Sequence, residues 1–404
     1  MWRYITRTIL VASVIVVAGV LAYGVYEGSL APGAASEQTS RGSAYGPNGG
    51  RGFGDEPDEH GVVTVSNDGQ TLHSFEGRSL FSGGGAEAQA EIELPARART
   101  IEATPGGVSV WVTYEGRPEI DVFASDTLDH EASVEPPEGR GRNPEYLQFS
   151  ENGQTLFITW QASDEIDVYR HEMRELTHRL TIEADGTRGP VYRNRTATRV
   201  YRANDDGEIA VFFAQNGRRL GEVAPAPLTE GARMRFSDDH SLLWGVAGDG
   251  SVFAVDEAET TAVESGVSVS TKHAPVAAVS HEPGLDGSGH AVFVSEDESA
   301  LVRVAVSDLS GDTKNAGGRF ELSQFAELAG KRIATAFPLG TGGIVLFTDD
   351  GEVVEVDPHD LGLREVGRIA AAGEADAERP AAPARDISLA ASYAIRTDGN
   401  FACF

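Results

Sequence analysis

One stretch of the sequence gathers two imidazoles and two carboxylates within ten residues: His281, Glu282, Asp286 and His290. That set has the donor chemistry of a divalent-cation loop. It is equally the composition of a solvated acidic loop, which is the commoner outcome where no orienting partners are visible. His171 and His178 are expected to face each other across a short outer hairpin, yet His171-Glu172-Met173-Arg174-Glu175 lacks the second histidine of a zincin helix. Asp-rich turns such as Asn204-Asp205-Asp206-Gly207 begin like calcium loops, but none continues to the bidentate glutamate such a loop requires. No Gly-x-Ser-x-Gly elbow occurs, and the single cysteine, Cys403, stands beside the C-terminal residue, so neither a serine nor a thiol nucleophile is indicated. No Cys-x-x-Cys-His occurs, which excludes a covalently attached c-type haem. The sequence therefore predicts neither a cofactor nor an enzyme. Asn194-Arg195-Thr196 is an acceptor sequon and marks Asn194 as a candidate glycosylation site. The segment Glu135 to Arg142 (EPPEGRGR) concentrates Arg140 and Arg142 in an otherwise acidic chain, making them candidate partner-binding residues.

These groups sit in a chain of 404 residues with 62 acidic and 33 basic side chains, a net charge of -29. Lysine occurs only at Lys272, Lys314 and Lys331, so the basic side is almost wholly arginine. Such a surface repels nucleic acid and anionic lipid and stays soluble where salt screens its self-repulsion. The composition points to a salt-loving host, and an acidic surface from a GC-rich genome would look much the same. With one cysteine no intrachain disulfide can form, so stability has to come from the core.

Ile9 to Tyr26 reads ILVASVIVVAGVLAYGVY without a charge, after Arg3 and Arg7 and before Glu27. That length approaches the ~20 residues of a membrane-spanning helix. Basic residues before it and an acidic one after it place the N-terminus inside and the remainder outside. The organisation predicted is a cytoplasmic N-terminus (1–8), a single transmembrane anchor (9–27), a Gly/Ser/Pro-rich linker (28–59) and an extracytoplasmic domain (60–404). A cleaved signal peptide ending near Ala31 to Ala35 is the competing reading, and it too exports the domain.

What positions any site is a repeat. Turn signals recur at Asn67-Asp68-Gly69, Glu115-Gly116, Ser163-Asp164, Asp205-Asp206-Gly207, Gly248-Asp249-Gly250, Glu296-Asp297, Asp349-Asp350-Gly351 and Asp398-Gly399, spaced 43 to 54 residues apart. Each lies between two β-like runs, and no long stretch carries a helical period. A four-stranded unit every 40 to 50 residues is the mark of a propeller blade. The clearest unit reads EYLQFS (145–150), TLFITW (155–160), IDVYR (166–170) and LTHRLTI (176–182). A second begins at Ala232 with ARMRFS, SLLWGVA, SVFAVDE and TAVESGV, and fainter copies start near Arg99, Gly189, Pro275 and Arg332. Six units flanked by terminal strand groups (VVTVS, TLHSF, AQAEIEL; DISLAA, YAIRT, NFACF) give an all-β, seven-bladed propeller if the ends share one sheet. They give eight blades if each end forms its own, and the eight turn centres argue for that alternative.

The segment PEYLQFSENGQTLFITWQASDEIDVYR (144–170) resembles the YVTN family of surface-layer and lactonase-like propellers, with its Phe-Ser-x-Asn-Gly turn and IDVY strand. The tail ISLAASYAIRTDGNFACF (387–404) resembles a half-repeat of the regulator-of-chromosome-condensation type. Both resemblances imply a propeller, and neither carries a functional residue onto this chain. The expectation is a membrane-anchored, extracytoplasmic binding or scaffold subunit whose partners are other proteins in the same membrane. The rivals are an enzyme or dehydrogenase subunit of lactonase or quinoprotein type, and a structural protein of a cell envelope or virion.

Overall fold

In the computed structural model the described residues run from His60 to Arg368, with breaks at loops such as 77–86, 135–141, 224–232, 281–288 and 307–317, and include Ile387–Ala394. The expected anchor (9–27) and linker (28–59) lie outside them, and no helix among the described residues is long and apolar enough to cross a membrane.

Seven four-stranded antiparallel sheets make up the fold. Blade 1 contains β1 (His60–Ser66), β2 (Thr71–Glu76) and β3 (Ala90–Glu93). Blade 2 holds β4 (Ala98–Ala103), β5 (Ser109–Tyr114), β6 (Ile120–Ala124) and β7 (His130–Val134). Blade 3 holds β8 (Pro144–Phe149), β9 (Thr155–Trp160), β10 (Glu165–Glu172) and β11 (Glu175–Glu183). In blade 4 come β12 (Tyr192–Arg193), β13 (Arg199–Ala203), β14 (Ile209–Phe213) and β15 (Arg219–Val223). Blade 5 has β16 (Arg233–Phe236), β17 (Leu242–Val246), β18 (Val252–Asp256) and β19 (Ala262–Val263). Blade 6 has β20 (Ala277–Ser280), β21 (Gly289–Val294), β22 (Ala300–Ala305) and β23 (Gly318–Glu321). Blade 7 has β24 (Ile333–Pro338), β25 (Ile344–Thr348), β26 (Glu352–Val356) and β27 (Leu363–Arg368). The last strand, β28 (Ile387–Ala394), returns to blade 1 and pairs with β1 from His60↔Ala394 to Ser66↔Ile387.

That pairing closes the ring. β28 is the first strand of blade 1 in the order β28-β1-β2-β3, and it packs between β24 and β4, the first strands of its two neighbours. The ends of the chain thus share one sheet, as the seven-blade reading requires. Among the described residues the C-terminal group contributes one strand, in which ISLAA and the start of YAIRT run together, and residues 395–404 lie outside them. Seven of the eight predicted turns fall at one structural position, between the second and third strands of a blade. The eighth, Asp398-Gly399, lies outside the described residues.

Hydrophobic clusters fill the spaces between successive blades. Val110, Val112 and Tyr114 of β5 pack with Val63, Val65 and Leu72 of blade 1, while Trp111 between them joins Leu147, Phe149 and Trp160 of blade 3. Opposite faces of one strand therefore enter different interfaces. This is why β5, β17 and β21 are buried at every position and do not alternate. Each such side chain contributes about 1.5–3 kcal/mol. Of the outer strand expected from TAVESGV, Ala262–Val263 is the part among the described residues.

A side-chain cap repeats where one strand turns into the next. The oxygen of Thr104, Ser150, Asn194 or Ser237 at the end of a first strand accepts the N–H five residues on, at 3.2, 2.8, 3.0 and 3.1 Å respectively. Ser66 and Ser295 make the same bond after second strands, at 2.9 and 3.0 Å. Ser, Thr and Asn compete well for backbone donors, which suits them to turns. Gly153, at φ +71°, takes the left-handed position in the Ser150–Gly153 turn at no steric cost.

Candidate functional site in the central channel

First strands of neighbouring blades pack against one another around the axis, and their polar side chains meet at the blade boundaries there. Three of these strands, β4, β8 and β24, carry a bulge near their start, and two of the bulges meet. The ladder slips between Ala98 and Thr100 in β4 and between Pro144 and Tyr146 in β8, which leaves Arg99 and Glu145 as the extra residues. Bulges re-aim side chains. Here the two aim at each other, and Arg99 Nη2 binds Glu145 Oε1 across the blade 2–blade 3 boundary. Thr100 Oγ1 donates to the Glu145 carbonyl at 2.8 Å, completing the clasp.

Arg202 of β13 is fully buried. Its guanidinium donates to the carbonyls of Gly189 (3.1 Å), Asp164 (2.9 Å) and Ser163 (3.3 Å), tying blade 4 to the turn between β9 and β10. Burial pulls its pKa down to about 10, and Glu145 and Asp164 oppose that shift. Arg193, also buried, donates to Phe149 O at 2.6 Å and spans the same boundary at the other end of the first strand.

Deeper in the channel, two residues before the turn caps, lies a layer formed by Glu102, Gln148, Tyr192 and Arg235. Their second-strand register partners are all aromatic: Trp111, Phe157, Tyr201 and Trp244. Tyr192 accepts the Met234 N–H at 3.2 Å. Its phenol is pushed up to about 12, by burial first and by the nearby Tyr146. Burial also raises Tyr146. The Arg235 guanidinium falls to about 10 by burial, with Tyr192 as its opposing neighbour.

A second repeated arrangement lies away from the axis. In blade 3, Trp160 Nε1 donates to Asp167 Oδ2 (2.9 Å), Thr181 Oγ1 donates to Asp167 Oδ1 (2.6 Å), and His178 Nε2 lies 3.4 Å from that same oxygen. Blade 2 repeats it with Tyr114 (2.8 Å), Ser133 (2.6 Å) and His130 (3.4 Å) around Asp121. Burial, then the bond to Asp121, holds the Tyr114 phenol well above its usual range. Each buried aspartate pins the second, third and outer strands of its blade together. The sequence reading passed over these residues, although Tyr114/Asp121 and Trp160/Asp167 share a seven-residue spacing that could have exposed them.

Among the residues singled out from sequence, Arg142 is placed at the blade 3 rim. Its Nη1 donates to Ser163 Oγ at 2.6 Å and pairs with Glu165, which anchors the end of its loop. Arg140 lies outside the described residues, as do His281, Glu282 and Asp286. His290 does not belong to their loop. It sits in β21, buried, with Nε2 donating to Pro358 O at 2.8 Å and its ring edge-on to His359. Among the described residues no group of three or more His, Cys, Asp or Glu is arranged to hold a metal ion. Asn194 is buried, its Oδ1 accepting the N–H groups of Thr198 and Arg199 (both 3.0 Å) and its Nδ2 donating to Thr198 Oγ1 (3.2 Å). A glycan on that nitrogen would displace the turn cap. His171 and His178 do not face each other: His178 pairs with Tyr169, and the His171 ring packs edge-on against Trp111 at 5.3 Å.

The closed ring of seven four-stranded sheets defines the chain as a seven-bladed β-propeller. No protein-family profile matches the sequence, and no curated protein does. Solved structures do share the fold. One titled as the dihydro-heme d1 dehydrogenase NirN in complex with DHE aligns at TM-score 0.52 and 11% identity, over 78% of this chain and 74% of that one. The C-terminal WD40 domain of Sif2 aligns at TM-score 0.50 and 11% identity, over 81% and 88%. BamB from Moraxella catarrhalis aligns at TM-score 0.47 and 10% identity, over 78% and 84%. The first two likenesses share the propeller fold found here, and neither bears on the surface-layer or lactonase-like resemblance or on the chromosome-condensation one.

Proposed function

We propose that this chain is a non-enzymatic, protein-binding scaffold: a propeller tethered to the membrane by residues 9–27, displayed outside the cytoplasm, and docking other subunits in that membrane. The observation that carries the reading is the ring closure by β28, which fixes the relative positions of all seven blades and so pre-arranges the loops at both ends of the disc. A pre-organised surface binds without the ordering cost that a mobile one incurs. Arg142 is bonded to Ser163 and Glu165, and we assign the contact with an acidic partner to the arginines of this segment, Arg140 and Arg142.

Purification of the full chain from its own membranes in mild detergent tests this. A companion present in stoichiometric amount and lost on Arg140→Glu is the expected result. A chain that purifies alone, or a companion retained by the variant, overturns the reading.

A further inference from the structure

We propose that the central channel holds a binding site for a small oxyanion, a carboxylate or phosphate group, gripped by Arg235 of β16 and the phenol of Tyr192 of β12. The proposal rests on unused donors. A guanidinium offers five N–H groups and accepts nothing. Among the described residues Arg235 forms neither a hydrogen bond nor an ion pair, and the sole group acting on its charge is the Tyr192 phenol. The Glu102 carboxylate, in the same layer on blade 2, is not among the groups that influence Arg235. Among the described side chains the neighbouring arginines are spent, Arg99 on Glu145, Arg202 on three carbonyls and Arg193 on two.

Tyr192 supplies the second donor. Its oxygen already accepts the Met234 N–H, so its own O–H remains to be given. Burial keeps that proton in place well past neutral pH, with the phenol pushed up to about 12. Arg235, down to about 10, is nevertheless charged at neutral pH. Arg235 is half-buried and charged with no acceptor among the described residues, and an oxyanion taking two of its N–H groups and the phenol O–H would meet those donors. In a chain of net charge -29 an uncompensated positive centre also selects for charge sign. The site stands whether or not the ring docks another protein.

Calorimetric titration of the full chain in detergent, at constant ionic strength set with chloride, tests it with inorganic phosphate and acetate as probes. Saturable binding of at least one probe is expected, and the tighter one tells phosphate from carboxylate. Arg235→Gln should weaken binding about tenfold or more, the loss of a charge-assisted contact. Tyr192→Phe should weaken it by a smaller factor, and Arg219→Gln, on the outer strand, should leave it unchanged. Melting curves of each variant separate a lost site from a lost fold. Absence of saturable binding for both probes, or equal binding by a folded Arg235→Gln variant, overturns the proposal.

Discussion

At the scale of single residues, the buried aspartates show how a polar group stabilises an apolar stack. Asp167 is fully buried and accepts from Trp160 and Thr181, with His178 within reach. Asp167→Ala would strand those donors, each unmet buried donor costing about 1–3 kcal/mol, so a loss of roughly 3 kcal/mol or more in urea unfolding is expected. Trp160→Phe, which removes one donor and leaves the carboxylate its others, should cost less. Asp357 gives a pH signature. Burial works to raise its pKa, but the His359 N–H and the Arg364 guanidinium outweigh that and hold the carboxyl below its usual value. A depressed carboxylate adds stability that is complete above its unfolded pKa, ~3.9, and is lost as pH falls through the lower folded value. Asp357 is partly exposed, so the contribution is modest. Acid unfolding of Asp357→Asn should be shallower than wild type below about pH 4, with the two proteins differing by a constant amount above it.

Among the elements, the second and third strands of blade 5 meet at a tight spot. Gly245 of β17 faces Phe253 of β18 in register, and a Cβ at Gly245 would stand 2.0 Å from the ring. Gly245→Ala should therefore destabilise by about 1–3 kcal/mol through overpacking. The paired variant Gly245→Ala with Phe253→Leu should recover part of the loss, which chemical denaturation can read. The strands themselves were legible: EYLQFS, TLFITW, IDVYR and LTHRLTI correspond to β8, β9, β10 and β11. They were legible because turn chemistry is local, and Asn-Gly or Asp-Gly between apolar runs states its geometry outright. The Arg99–Glu145 clasp was not legible, since a bulge depends on the register of the partner strand. Nor was the Tyr192–Arg235 layer, which brings together residues from separate blades. The place of His290 in a strand was not legible either, because its neighbours in sequence are polar and the strand is set by pairing with Val279 and Ala305.

For the whole molecule, closure and charge are the governing terms. Ending the chain after residue 386 removes β28, bares the channel edge of β1 and separates β24 from β4. An open ring with an unpaired edge should lose its single cooperative melt and associate, visible by calorimetry and size-exclusion chromatography. Charge makes the opposite demand, for the ring must close against the mutual repulsion of 62 acidic side chains only half balanced by 33 basic ones. The repulsion reaches over about 30 Å at 0.01 M salt and about 3 Å at 1 M, so added salt relieves it first between blades and then within them. Thermal stability should accordingly climb by several degrees between those concentrations of sodium chloride at neutral pH. Chloride is the salt to use, because sulfate strengthens any fold through exclusion from the surface and would hide the effect. Potassium chloride should do the same as sodium chloride if screening is the cause. A melting temperature that stays flat or falls over this range would show that the described ion pairs, such as Arg364 with Asp357 and Lys331 with Glu352, already neutralise the surface locally. The salt-loving reading of the composition would then fail with it.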